Sequence, residues 1–528
     1  MANPPPKISW AAFVVLALLA LAVRVPQLGN RPMHTDEAIN AYITGDLLAG
    51  KNFQYDPQDR HGPALYVLAE PIARLCGAKS FSELTETQLR LTSVLVGGIT
   101  VLLFGAGVEL FGFLTCFVAA LLFAISPLPV YYSRDFIHET LFVAATFGLM
   151  LSGWRALKTN SVIAATLAGL SGGLMLATKE TAVIHFFALG MAAACGWLWN
   201  KLSRRWIEVP ISDHPATSSP SPPRSGGEGR GEEALRAHGE EKPKFHLHAR
   251  ALSVALGVFV GTAILLFTWF GQNWTALTDL LHAVPRFAHR AGGEGHEKPF
   301  WYYALLLSGG WSGLSLLALA ALGFVITIVG FLRQKLFSPI LFISLYGLLI
   351  IGVYSAIPYK TPWLALNFWL PISLLIGRAV TAAWKKLALS PVRWLVVLPA
   401  ALIAVAITHD TKNRVFRFPA DEKNPYAYAQ TVEGLLDLPP RLEQLAARKN
   451  LASPRIAVVA ADPWPLPWYL RKFSQAGFWQ PRQEIGSADF FITSPEAADG
   501  MSNKLSNLRP EFFGLRPEVV IILWSPQP

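Results

Sequence analysis

The sequence predicts a polytopic α-helical membrane protein of about eleven spans, with a small α/β domain at its C-terminal end on the outer side. Three observations carry this. Of 528 residues, 52% are hydrophobic and only 15% charged, too apolar for an ordinary soluble chain. Apolar runs near the length needed to cross the hydrocarbon core recur along most of the sequence. From about residue 410 onward the composition turns soluble, and short strand-like runs replace the long apolar ones.

Taken in order, the first run, Ile8 to Val25, has neither the small-residue cleavage site nor the length of a signal peptide and reads as a retained anchor. Residues 26–87 form a long first outer loop. Its two amphipathic stretches, roughly 38–50 and 63–76, suit a membrane surface. Further spans are expected near 88–108, 112–130, 136–153, 162–178, 182–200, 250–271, 303–331, 337–356, 363–381 and 393–409. Residues 207–250 are rich in Pro, Ser, Gly and Glu and read as a disordered cytoplasmic linker. Residues 1–409 thus make a membrane domain and 410–528 a soluble one. In the latter, a helical stretch (Tyr426–Arg448) precedes strand-like runs at Arg455–Ala461, Asp489–Thr493 and Val519–Trp524.

The positive-inside bias orients the chain. Arg155, Lys158, Lys201, Arg204, Arg205, Arg333, Lys335, Lys385, Lys386 and Arg393 fall on alternate connections, which places the N-terminus in the cytoplasm and the C-terminus outside. The same bias explains the net charge of +10 without nucleic acid. Three cysteines make no disulfide framework, and Cys116 and Cys195 sit in apolar runs, so redox chemistry is not expected.

On this topology six polar motifs share the outer face, and chemistry on a lipid headgroup follows from that grouping. Asp36 and Glu37 open the first outer loop behind His34. A carboxylate there suits a general base on an acceptor hydroxyl or a ligand of a divalent cation such as Mg or Mn, and the residues do not choose. His61, in Arg60-His61-Gly62, follows on the same side. Arg134 offers a planar fork for a phosphate, with interface anchoring as the plainer reading. Asp135 shares a helical face with His138 and Glu139. Lys179, beside Glu180, and Lys360, held between prolines next to Tyr359, suit an anionic headgroup, with snorkelling as the alternative. Glu294, in Gly292–His296, lies in a flexible loop suited to closing over substrate or to carrying a metal ligand. Asp36, Arg134 and Lys360 are expected to converge on one outer cavity. The segment Asp462–Tyr469 is expected to face that cavity, where Trp464, Trp468 and Tyr469 either stack on a sugar or pack the domain onto the membrane part.

His34-Thr35-Asp36-Glu37, His61-Gly62-Pro63 and Tyr132-Ser133-Arg134 resemble the GT-C superfamily of polytopic glycosyltransferases, near the protein O-mannosyltransferases and the lipid A aminoarabinose transferase. His61-Gly62-Pro63, Ala177–Glu180, Tyr359–Trp363 and Asp462–Tyr469 are similar to the flippase-activity-associated proteins of prokaryotic glycosylation clusters. The resemblance implies a multi-pass protein of the prokaryotic inner membrane. It implies a sugar donor on polyprenyl phosphate or diphosphate, and transfer with inversion on the outer side to a lipid, protein or glycan acceptor. It implies that Asp36 is the catalytic or metal-associated carboxylate, with Asp135, Glu139 and Glu294 as candidates for a second acid. The alternative is a non-catalytic scaffold or flipping partner for lipid-linked sugars. A translocator needs polar residues in mid-span, whereas these motifs sit at span ends.

Overall fold

The computed structural model describes residues 7–58, 60–207, 249–293, 295–387, 392 and 394–527. Most of the expected linker and Glu294 lie outside them. Eleven apolar helices match the expected spans one for one. Eight are long and apolar enough to cross a membrane, and three are shorter. In chain order the principal helices begin with α1 (Lys7–Arg24), α2 (Thr35–Leu48), α3 (Ala64–Leu75), α4 (Glu86–Ala106) and α5 (Phe113–Ile125). They continue with α6 (Glu139–Thr159), α7 (Val162–Thr178), α8 (Ala182–Ile207), α9 (Ala249–Phe267) and α10 (Ala276–Arg290). The last are α11 (Gly310–Gln334), α12 (Pro339–Ala356), α13 (Leu366–Leu387), α14 (Trp394–Thr411) and α15 (Leu438–Arg448). The amphipathic stretches of the first loop are α2 and α3, which do not count among the eleven.

Local signals set the ends. Thr85 caps α4 in a reciprocal box with Gln88, and Ser338 caps α12 with Pro339 in its first turn. The expected 303–331 span is broken: a short helix, Tyr302–Leu307, precedes α11, and the chain turns at Gly310 with φ +75°, a conformation natural to glycine. Helices pack through small residues, since lipid offers no hydrophobic drive to bring them together. A Cβ on Gly377 of α13 would fall 2.3 Å from the Thr115 carbonyl of α5, and the hydroxyls of Thr115 and Thr381 meet at 2.9 Å beside it.

The helix ends share a polarity. Glu139, Lys179 and Tyr354 lie at one end of α6, α7 and α12, while Arg155, Lys158, Arg333, Lys385 and Lys386 lie at the other end of α6, α11 and α13. The C-terminal unit sits on the first of these ends. Its five-stranded sheet is ordered β2-β1-β3-β5-β4, with β1 (Ile456–Val459), β2 (Ala476–Trp479), β3 (Phe490–Thr493), β4 (Leu508–Arg516) and β5 (Val519–Pro526). β1 pairs in parallel with β2 and β3, and the β4–β5 hairpin adds antiparallel to β3. The three expected runs are β1, β3 and β5. The other two are edge strands whose sequences carry Gly477 and Pro510, residues that weaken a strand signal and that edges tolerate.

The expected helix at Tyr426–Arg448 is shorter: α15 starts at Leu438 because Pro439 and Pro440 fit only a first turn. Residues before it run along the loop that follows α1 instead, where Gln430 donates to the Pro32 carbonyl at 2.9 Å and Thr431 to that of Met33 at 2.6 Å. The Asp462–Tyr469 segment does the same, which corrects the expectation that it faces the cavity. Trp468 is fully buried and donates to Glu86 at 2.8 Å, the Tyr469 hydroxyl accepts from the Met33 amide at 2.8 Å, and Trp464 meets the Tyr42 ring. These aromatics pack the domain onto the membrane part.

Candidate active site

Asp36 and Glu37 stand in the first turn of α2 but face different surroundings. His34 caps the helix: its Nδ1 accepts from the Asp36 amide at 3.1 Å, its amide donates to Glu37 at 3.1 Å, and its Nε2 donates to the Tyr428 carbonyl at 3.0 Å. Both ring nitrogens are thus spent on structure. Glu37 is fully buried and takes a two-pronged contact from Arg90, 2.8 Å on each oxygen, plus the Phe136 amide at 2.8 Å. Burial alone would raise its pKa, but the Arg90 guanidinium overrides it and holds the carboxyl at about 2. It is a permanent anion with no open side.

Arg134 belongs to the same buried seam. Its guanidinium donates to the carbonyls of Arg24, of Pro26 at 2.7 Å and of Gln27 at 3.0 Å, and it lies over the Phe416 ring. Asp135 is buried against Arg31. Lys360 is 1% exposed and donates to the carbonyls of Lys298, at 3.0 Å, and Ile357. None of Glu37, His34, Arg134, Asp135 or Lys360 lines the cavity described next, so the expected convergence of Asp36, Arg134 and Lys360 is corrected. In each case backbone carbonyls or a buried charge already take the polar group.

The cavity, of about 360 Å³, lies at the polar ends of α2, α6, α7 and α12 and is roofed by α10. Asp36, His61, Glu139, Lys179 and Tyr359, all expected at the site, line it, together with Arg60, His138, Glu180, Arg286, Arg290 and His296. Two of its three carboxylates are engaged by basic side chains. Glu139 is bound by Lys179, and Glu180 accepts from His61 Nδ1 at 2.7 Å and from the Tyr55 hydroxyl at 2.8 Å. Burial works to raise the Glu180 pKa, but the His61 ring and these hydrogen bonds bring it down to about 2. Burial, with His61 and Lys179 nearby, holds His138 neutral, well below the usual histidine range. Asp36 is partly buried and has no side-chain partner among the described residues. Among the described residues the cavity therefore offers a carboxylate without a side-chain partner, in a lining that carries three arginines.

Gly62 explains how the loop reaches this wall. A Cβ there would lie 2.2 Å from the Ala177 carbonyl oxygen, so only glycine lets His61 close on the Lys179–Glu180 turn. The end of the Gly292–His296 loop, expected to be flexible, is stitched down. His296 accepts at its carbonyl from the Lys360 amide at 3.1 Å, its ring meets the Tyr428 hydroxyl, and Glu297 bridges Tyr359.

Among the described residues no three His, Cys, Asp or Glu side chains gather as a ligand set, and the cavity carboxylates Glu139 and Glu180 are already engaged by Lys179 and His61. Helix α10 is the part sequence reading missed. His282, Arg286, His289 and Arg290 recur at three- and four-residue spacing opposite Leu277, Leu280 and Leu281, an amphipathic signal that the Pro285 inside it obscures.

The family model described as dolichyl-phosphate-mannose-protein mannosyltransferase matches residues 63–213. No curated protein sequence matches the chain. Among solved structures, ArnT from Cupriavidus metallidurans bound to undecaprenyl phosphate is similar over 98% of both chains, at 15% identity and a TM-score of 0.59. The archaeal oligosaccharyltransferase AglB from Archaeoglobus fulgidus, in complex with an inhibitory peptide and a dolichol-phosphate, is similar over 96% of this chain and 74% of that one, at 14% identity and a TM-score of 0.53. The chain has the GT-C fold of the polytopic membrane glycosyltransferases that its motifs resemble.

Proposed function

We propose that this protein is a membrane glycosyltransferase that moves a sugar from a polyprenyl-phosphate-linked donor to an acceptor on the outer face of the membrane. The observation that carries this is the cavity itself: one unpaired carboxylate, Asp36, shares about 360 Å³ at the mouth of a helix bundle with Arg60, Arg286 and Arg290. Guanidinium groups suit the phosphate that departs, where charge develops in the transition state. Asp36 takes the proton of the attacking acceptor hydroxyl, a contribution of about 10²–10⁴-fold for a positioned base. The arginines of the cavity take the phosphate-binding part first assigned to Arg134 and Lys360. Lys179 and Glu139 neutralise each other and shape the wall.

The outer side is supported by the basic residues at the far ends of the helices, which the positive-inside bias assigns to the cytoplasm. The dolichol-phosphate and undecaprenyl phosphate held by the similar structures agree in chemical class with a donor of this kind.

Purified protein in liposomes, supplied with a panel of polyprenyl-phosphate hexoses and pentoses and candidate acceptors, tests the reading by mass spectrometry. Product together with free polyprenyl phosphate is the expected result. Movement of donor between leaflets without product would instead make the protein a handler of lipid-linked sugars.

A further inference from the structure

We propose that His61, oriented by Glu180, is the acid that protonates the departing phosphate. This rests on the transferase reading above and gives the leaving side of the reaction its own proton donor.

The pair is built to present one nitrogen. Glu180 sits in the turn between α7 and α8, and its carboxylate is fixed from both oxygens, by His61 Nδ1 at 2.7 Å and by the Tyr55 hydroxyl at 2.8 Å. Gly62 packed on Ala177 fixes the backbone beside the ring. With Nδ1–H committed to Glu180, the second nitrogen is the one available. His61 Nε2 makes no hydrogen bond among the described residues, and the side chain, 35% exposed, lines the cavity. A carboxylate behind an imidazole sets its tautomer and stabilises the imidazolium.

The groups around the ring agree. Arg60 adjoins it on its own loop. From the start of α6 come Glu139 and the neutral His138 ring at 5.0 Å, from the next turn Lys179 and Glu180, and from α10 Arg286 and Arg290. Lys179 is cancelled by Glu139, so Glu180 is the anion His61 meets directly.

The step balances. The acceptor oxygen bonds to the anomeric carbon and gives its proton to Asp36. The bond from that carbon to the phosphate oxygen breaks with its electron pair on oxygen, and His61 Nε2 gives its proton there. Exchange with solvent then returns Asp36 to carboxylate and His61 to imidazolium.

The test is the pH dependence of kcat in purified protein with a polyprenyl-phosphate sugar that it turns over. The wild type should lose kcat on the alkaline side. His61→Gln should lower kcat about 100-fold, leave KM nearly unchanged and abolish the alkaline limb. Glu180→Gln should move that limb to lower pH, because the imidazolium loses its anion. His61→Ala should regain kcat with added imidazole, which also guards against a merely misfolded variant. A His61→Gln enzyme that keeps the wild-type limb, or that changes KM alone, overturns the proposal, as does failure of imidazole to restore His61→Ala. A wild type that transfers nothing would remove the transferase reading itself, whereas a wild type that transfers with indifferent variants removes only the dyad.

Discussion

Two arginine-rich regions lie side by side, one solid and one hollow. In the solid seam Arg24, Arg90 and Arg134 are buried against Glu37 and a set of backbone carbonyls. In the hollow one Arg60, Arg286 and Arg290 line a cavity with Asp36. Each carries three arginines. The irregular stretch after α1 turns its carbonyls at Arg24, Pro26 and Gln27 on Arg134 and holds its fork away from the cavity, whereas Arg60 and Arg290 also donate to carbonyls, of Gln54 at 3.2 Å and Gln58 at 2.8 Å, and still line it. Asp36 and Glu37 repeat the contrast at one-residue spacing, because successive side chains on a helix point about 100° apart.

The sharpest way to break this comparison is to neutralise the solid side. Glu37→Gln leaves Arg90 buried without its counter-charge and should destabilise the protein by about 3–5 kcal/mol, read as a lower midpoint in denaturant. Because the Glu37 pKa is depressed to about 2, its contribution is fully present above the ordinary carboxylate range near 4.5 and fades only as pH falls toward 2. Stability between pH 6 and 9 should therefore owe nothing to its titration.

A smaller effect is expected for Arg134→Lys, which keeps the charge and loses the fork. About 1–3 kcal/mol of stability should go while the donor KM stays unchanged. A changed KM at unchanged stability would move Arg134 into the site. On the hollow side, Arg286→Gln or Arg290→Gln should each raise the donor KM about tenfold, or about 1.4 kcal/mol. The rise should shrink in high salt, with little change in melting temperature.

The apolar helices were legible because each is a sustained apolar run, and the grouping of polar motifs at one end followed from the order of the runs. Gly62 and the Lys179–Glu180 turn were visible as motifs, though not as partners. Three things were hidden. Whether an arginine meets a ligand depends on carbonyls far away in sequence, as with Arg134. Pro285 masked the amphipathic period of α10, and with it Arg286 and Arg290. The Trp-rich segment after β1 reads equally well as a sugar platform or as a docking plug. Only the placement of Glu86 and Met33 beneath it decides for the plug.

The central claim is that Asp36 works on substrate while its neighbour Glu37 holds the fold. Turnover by purified Asp36→Asn, measured beside its melting curve, tests this most directly. The account predicts a melting temperature within about 1 °C of wild type and a rate lower by about 10²–10⁴-fold, the range for removal of a general base. Wild-type turnover by Asp36→Asn would contradict it and leave Asp36 a solvated acid at the start of a helix.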